Sequence, residues 1–371
     1  MKITIKTSRQ INECSNDWDD FLPGGHHLKS KHLQAFKNAN IDAIDNYYVQ
    51  IFAKEKLIGL AYLQLFQFQH KHLNFNKAVV SKLIKIILPA KLPLLVCGHL
   101  FRIDFQGFYF KDPLHHSLVF DAIDLFKQQN KKCKPCGIII KDCKELFTEQ
   151  SCRLFRYHFF NGDVTMEISR KAHWLSFDDY LKDLNKKYLQ RAKKILQAFA
   201  RIEAKELNAH EIAAGSAEIE RLYWNVVNKQ TIKLGTVNTA YFIELKKDLG
   251  DNFEFHALYH NGLMVGFYTF IFYDDAMETH YIGLDYEANK MFKIYFNILF
   301  AAIKKMIERQ DTALEMGRTA REAKISAGAL PKQIINYVSV KNPLASITVN
   351  YFLKRFNQSE DSEIMKRTPL K

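Results

Sequence analysis

Acidic residues are in short supply in this chain. Forty Asp and Glu stand against 53 Lys and Arg, a formal charge of +13 over 371 residues. That imbalance is a statement about partners rather than fold. It favours a polyanion: a nucleic acid, an anionic bilayer or a phosphorylated donor. Cysteine is also scarce. Six in a chain this long cannot make a disulfide scaffold, and a reducing cytoplasm is expected. No uninterrupted apolar run reaches about 18 residues, so no transmembrane helix is expected. No signal peptide is visible, because Met1 to Ser8 alternates like a strand and a polar stretch follows. No short-period repeat is present. Cys133-Lys-Pro-Cys136 lacks a second Cys or His pair at metal-binding spacing and runs into the apolar Gly137-Ile-Ile-Ile-Lys141, so no metal is expected there.

What is there suits a large soluble chain. The length suggests about two to three domains. Twenty-nine Phe and 17 Tyr suit a greasy or stacking ligand surface. Strand and helix patterns alternate throughout, which predicts mixed α/β layers. A helix is expected over 29–39, strands over Tyr47–Lys54, Leu57–Gln67 and Leu92–Cys97, then a loop Gly98–Gly107. A helix His116–Gln129 and a strand Gly137–Lys141 follow. The same grammar restarts with a strand Thr165–Ile168. Ser176 can cap a helix covering roughly 177–199, with Asp178 and Asp179 in its first turn. A helix is expected near 216–230, then a hairpin of Phe253–Tyr259 and Met264–Tyr273 about Asn261-Gly262. A strand Glu278–Leu284, a helix Met291–Arg309 and a strand Ala313–Met316 complete the pass. Leu57-Ile-Gly-Leu-Ala-Tyr62 echoes Met264-Val-Gly-Phe-Tyr-Thr269, each with a glycine in mid-strand, which is expected where a bulge or a ligand wants backbone.

The segment Gly317 to Pro331 concentrates chemistry. Small residues around Gly328 let backbone come close to a ligand. Arg318, Arg321 and Lys324 set three cations beside them, with Glu322 among them. Such a run can hold a phosphate, a carboxylate or a developing oxyanion. His280 ends a strand near it, and imidazole suits a base near neutral pH. Tyr281, Asp285 and Asn297 are further candidates for the same cleft. Two basic segments answer the charge. Val79–Leu88 carries Lys82 and Lys85 beside an apolar face and reads as an interfacial helix or a core-packed one. Lys182 to Arg201 reads as a cationic helix that tracks phosphates or headgroups, or as a solvated face.

Three pieces resemble the Fem-type, peptidoglycan-bridge family of double-GNAT N-acyltransferases. They are Ser176-Phe-Asp-Asp-Tyr through Lys186-Lys-Tyr188 with Arg191, Lys193 and Lys194; Val265-Gly-Phe-Tyr followed by His280-Tyr-Ile-Gly-Leu-Asp-Tyr286; and Gly317 to Pro331. They run in family order over 176–331. The resemblance implies two tandem GNAT-like domains, over 1–164 and 165–345, with 346–371 a terminal segment able to return to the first. It implies a functional Lys324, with Arg318 beside it, and contacts through Tyr188 and Arg191. It puts acceptor contacts in Gly98–Gly107, through His99 and Arg102, with Asp104 as an alternative base to His280. Leu189 stands where a second arginine is expected. The pyrophosphate loop usual in coenzyme-A-dependent GNAT enzymes is missing from Gly283–Lys290, as it is in Fem-like proteins.

The resemblance implies an N-acyltransferase with no tightly bound cofactor. Its donor would be an acyl-CoA or acyl-carrier-protein thioester. Its acceptor would be an amine on a membrane lipid or cell-envelope precursor, with ceramide-type amide formation within its range. The expected place is cytoplasmic, peripheral at an anionic inner membrane. The alternatives are aminoacyl transfer from tRNA to a peptidoglycan precursor and an inactive GNAT pair serving as a binding module.

Overall fold

A computed structural model describes residues 2–39, 41, 44–69, 91–230, 236–273, 275–342 and 369–371. The basic segment 79–88 lies outside them. The chain forms two compact units. The first comprises the described residues up to Asp163, 236–237 and those from Gln333 to 342. The second comprises Val164–Gln230, Asn238–Lys332 and 369–371.

The first unit is a mixed sheet built from β1 (Thr4–Ser8), β2 (Ile44–Ala53), β3 (Lys56–Gln69), β4 (Lys91–Cys97), β6 (Gly137–Cys143) and β13 (Leu330–Val340), in that order, with β5 (Phe108–Phe110) paired to β3. The helices of this unit are α1 (Ser15–Phe21), α2 (Ser30–Asn38), α3 (Leu118–Gln129) and α4 (Glu149–Leu154). Strands β4 and β6 run parallel. Helix α3 buries Val119, Phe120, Ile123 and Phe126 at the period its apolar residues dictate. The mid-strand Gly59 has a packing reason. A Cβ there would lie 2.3 Å from the Phe110 ring, and Phe110 is its register partner.

The second unit orders its strands β7 (His158–Ser169, which belongs to it from Val164), β12 (Ala313–Glu315), β11 (Ala276–Leu284), β10 (Leu263–Phe272), β9 (Phe253–His260) and β8 (Glu203–Glu206). Its helices are α5 (Phe177–Asp183), α6 (Lys186–Ala198), α7 (Ala209–Ala214), α8 (Ser216–Val227), α9 (Thr239–Leu249), α10 (Tyr286–Phe292), α11 (Ile294–Arg309) and α12 (Arg321–Ser326). Apolar residues of α11 form the core on one face of the sheet, against Met277, Leu314 and the inner side of α6. Helices α8 and α9 take the other face. The hairpin turns at Asn261 and Gly262, both at positive φ, as the dipeptide dictates.

Three sequence expectations need correction, and some elements were not anticipated. The helix expected over 177–199 is two helices. Ser176 and Asp179 form a reciprocal capping box, as the spacing foretells. The helix then stops because Leu184 is extended and bridges to Leu370, while the Asn185 amide donates to the Pro369 carbonyl at 2.8 Å. The helix expected over 291–309 begins at Ile294, after a turn at Lys293 in the left-handed region. Helix α9 and strand β13 went unread. The glycine at 328 serves packing: its φ is +99°, and a Cβ would lie 2.8 Å from the Leu370 side chain.

Candidate functional site

The centre of the second unit is a fork in its sheet. Parallel strands β11 and β12 pair through only three rungs, Ala276 with Ala313, Met277 with Leu314 and Glu278 with Glu315. Past the last rung β12 ends and β11 continues to Leu284. Just beyond the fork, β11 carries one extra residue opposite Tyr268–Phe270, a bulge at Thr279–Ile282. Thr269 brackets it, its Oγ1 accepting from the Tyr281 amide at 2.9 Å and donating to the Tyr281 carbonyl at 3.2 Å. Bulges re-aim side chains and frequently stand beside active sites.

Two buried carboxylates share the last rung. Glu278 Oε1 meets His280 Nδ1 at 2.7 Å, and its Oε2 accepts from the Tyr273 hydroxyl at 2.9 Å. His280 Nε2 lies 3.0 Å from the Tyr241 hydroxyl on α9. With Glu278 ionised, Nδ1 donates to it and Nε2 is left to accept from Tyr241. His280 therefore works on the outside through the tyrosine hydroxyl. Glu315 Oε1 accepts from Thr165 Oγ1 and from the Gly317 amide. Its Oε2 is buried with no hydrogen-bond partner among the described residues. Burial, reinforced by the Glu278 carboxylate, pushes the Glu315 acid up to about 7.

Lys324 lies within the electrostatic reach of Glu315. It sits on α12, only 3% exposed, and its Nζ donates to the Gly317 carbonyl at 3.0 Å. Burial brings its ammonium down to about 8, against the pull of Glu315. Directly ahead of it in the chain, Arg318 to Ala323 lines a cleft of about 700 Å³ with Arg191 and Phe296. That volume suits a ligand of metabolite size. The Arg191 guanidinium lies 4.7 Å from the centre of the Phe296 ring. Three arginines and Glu322 thus face one opening, with a buried ammonium behind its wall.

The structure brings Arg318, Arg321, Glu322 and Arg191 together in this cleft, and places Lys324 and His280 at the fork. The other sequence candidates have different surroundings. Tyr188, on α6, packs against the core. Tyr281 is enclosed by Tyr223, Tyr241 and Phe242, and burial raises its hydroxyl well above the ordinary value. The Asn297 amide brackets α6 to α11, donating to the carbonyls of Ile195 and Lys293. Asp285 caps α10 by accepting the amides of Glu287 and Ala288 at 3.0 Å. His99, Arg102 and Asp104 belong to the first unit. There the His99 ring is buried among Phe36, Tyr62 and Phe105, and the Arg102 guanidinium stacks over Phe105. Asp104 holds a left-handed turn at φ 55°.

Glu278, Glu315, Tyr241 and Thr165 escaped the sequence reading. Glu278 and His280 share a strand face at i and i+2, and Glu315 is the one charge in an otherwise apolar three-residue strand. Those signals were available. Tyr241 was not, because it reaches His280 only through tertiary packing.

The six cysteines are free thiols, and Cys136 Sγ donates to the Pro93 carbonyl at 3.2 Å. Among the described residues no helix is long and apolar enough to cross a membrane. No protein-family model matches the chain, and no curated protein matches it in sequence. Solved structures do. The crystal structure of FemX superposes with a TM-score of 0.57 at 11% identity, covering 93% of this chain and 100% of that one. A conserved protein of unknown function from Bacteroides thetaiotaomicron superposes with a TM-score of 0.50 at 10% identity, covering 90% and 99%. A tandem GNAT protein from the clavulanic acid biosynthesis pathway gives 0.48 at 10% identity, covering 92% and 99%.

Proposed function

From its Fem-type, double-GNAT mixed α/β fold, we propose that this chain is an N-acyltransferase whose second unit moves an acyl group from a thioester to an amine. The observation that carries the reading is the sheet fork. It combines parted strands, a bulge, buried carboxylates and a buried ammonium with an arginine-lined cleft that opens from the same segment. Parted strands leave backbone groups free to hold an acyl carbonyl. The cleft's arginines take the donor's phosphate, since guanidinium matches phosphate oxygens bidentately.

The chemistry needs three services. The neutral amine nitrogen adds to the thioester carbon, forming the C–N bond and pushing electrons onto oxygen. The Lys324 ammonium, 3.0 Å from the Gly317 carbonyl, is the cation available to that oxyanion. The proton shed by nitrogen passes to the Tyr241–His280–Glu278 relay, where imidazole receives it and the carboxylate offsets its charge. Collapse breaks the C–S bond, and the proton returns to the departing thiolate.

The acceptor is an amine on a membrane lipid or cell-envelope precursor, and the protein acts at the cytoplasmic face of the inner membrane. The net charge of +13 and the wealth of aromatic residues support that choice. The test is amide formation by mass spectrometry, with acyl thioesters of several lengths and a panel of amphiphilic amines. Arg318→Ala is expected to raise the donor KM about tenfold or more with a smaller change in kcat, the signature of lost binding. No amide from any thioester, with protein shown to be folded, would sink the proposal.

A further inference from the structure

One charged surface of the second unit extends beyond the cleft. Lys187, Arg191 and Lys194 lie at i, i+4 and i+7 on α6, a single stripe along the helix. Helix α10 packs against α6 and adds the exposed Lys290, with the exposed Lys293 just past its end. Among the described residues none of these five side chains forms an ion pair with a carboxylate. The acid that α10 itself exposes is Glu287. The stripe also runs into the cleft, because Arg191 belongs to both.

Apolar side chains stand among the cations. Met291, between Lys290 and Lys293, is 67% exposed. Leu263, at the hairpin tip, is 72% exposed. It is the register partner of His260, whose ring lies 4.5 Å from Phe292 on α10. A cationic surface with exposed Met and Leu is the profile of a protein-docking site, with an apolar centre and a polar rim. An RNA backbone would take the charges and leave Met291 and Leu263 without a purpose. A bilayer would want an exposed apolar helix face, and α6 turns Ala192 and Ile195 inward.

The strand-to-helix turn at the fork supplies the second argument. The diphosphate of a coenzyme A thioester would use free amides at a helix start. Here the amides of Glu287 and Ala288 are held by the Asp285 carboxylate, whose other oxygen faces Arg221 at 3.6 Å. A negative charge already occupies that turn.

We propose that the acyl donor is delivered by an acidic carrier protein. Its carboxylates would dock on the α6–α10 face, and the single phosphate of its phosphopantetheine arm would enter among Arg191, Arg318 and Arg321. This rests on the acyl-transfer reading and names the donor's handle.

The test uses the full chain and a bacterial acyl carrier protein bearing an octanoyl thioester, with binding followed by fluorescence anisotropy. Binding is expected at low salt and should weaken as ionic strength rises. Lys187→Glu combined with Lys194→Glu should weaken it about tenfold or more, and Met291→Ser should weaken it too. Lys304→Glu, whose lysine pairs with Glu308 on α11, should leave binding unchanged. The proposal fails if the carrier does not bind, or binds the double reversal equally well. It also fails if a folded RNA or phosphatidylglycerol vesicles bind in this variant-sensitive way and the carrier does not. An uncharged N-acetylcysteamine thioester separates the two levels of inference. Amide from that donor without carrier binding rejects the docking and keeps the transfer reading. Carrier binding without amide from any thioester rejects the transfer reading, and the donor role with it.

Discussion

Replacing Lys324 by Met is expected to cut amide formation by roughly 100- to 1,000-fold, the usual cost of losing one preorganised oxyanion donor. Methionine fills much of the space, so the chain should stay folded. Glu315→Gln is expected to act differently. The Glu315 carboxylate favours the charged form of Lys324; without it, the ammonium loses its proton at lower pH. With an acceptor amine that is neutral throughout the range, the wild-type rate should fall as Lys324 deprotonates, near pH 8. In Glu315→Gln that limb should move to lower pH, leaving the rate near pH 6 little changed. A pH–rate profile of the three proteins checks this. An unmoved alkaline limb in Glu315→Gln would separate the two residues.

Stability follows the same groups, with signs that can be worked out. Lys324 is depressed from 10.5 to about 8 in the folded chain. Between those values the unfolded state binds more protons, so its contribution is full above pH 10.5 and is lost as pH falls through about 8. Glu315 is raised from 4.5 to about 7. Its contribution is full below pH 4.5 and is lost as pH rises through about 7. Each variant should remove its own slope from a stability–pH curve.

Gly107→Ala is expected to destabilise the first unit by about 3 kcal/mol or more, because the clash it creates is with backbone. A Cβ at 107 would lie 2.2 Å from the Gly98 amide nitrogen and 2.5 Å from its Cα. Neither atom can swing aside. The two glycines close the loop 98–107. The Gly107 carbonyl accepts from the Tyr62 amide at 2.7 Å, and Gly98 adopts φ 141° while bridging to Gln106. Inside the loop, Gln64 and Asp142 accept the amides of Leu100 and Phe105. Urea unfolding of the variant should show an early transition. A curve superposable on the wild type would mean that the loop closes differently.

The sequence was legible where local chemistry decides. Asn261-Gly262 placed a hairpin, and the Ser176–Asp179 spacing placed a helix start. The cationic run after Gly317 marked the segment that lines the cleft. It was illegible where distant residues decide. Nothing local ends a helix at Leu184; Pro369 and Leu370 do so from the far end of the chain. Gly328 reads as room for a ligand, yet the space is taken by Leu370, while mid-strand Gly59 does stand at a bulge. Strand β13 was hidden because Pro331, Lys332 and Gln333 open it without a strand-like apolar alternation. Glu278 and Glu315 become a buried pair of acids only when two strands, more than thirty residues apart in sequence, lie side by side at the fork.

The most direct test of the account is the carbonyl stretch of a ¹³C-labelled acyl thioester bound to the protein, recorded by difference infrared spectroscopy. A carbonyl polarised at the sheet fork should absorb at lower frequency on the wild type than on Lys324→Met. The same frequency on both proteins, matching the thioester free in water, would contradict it.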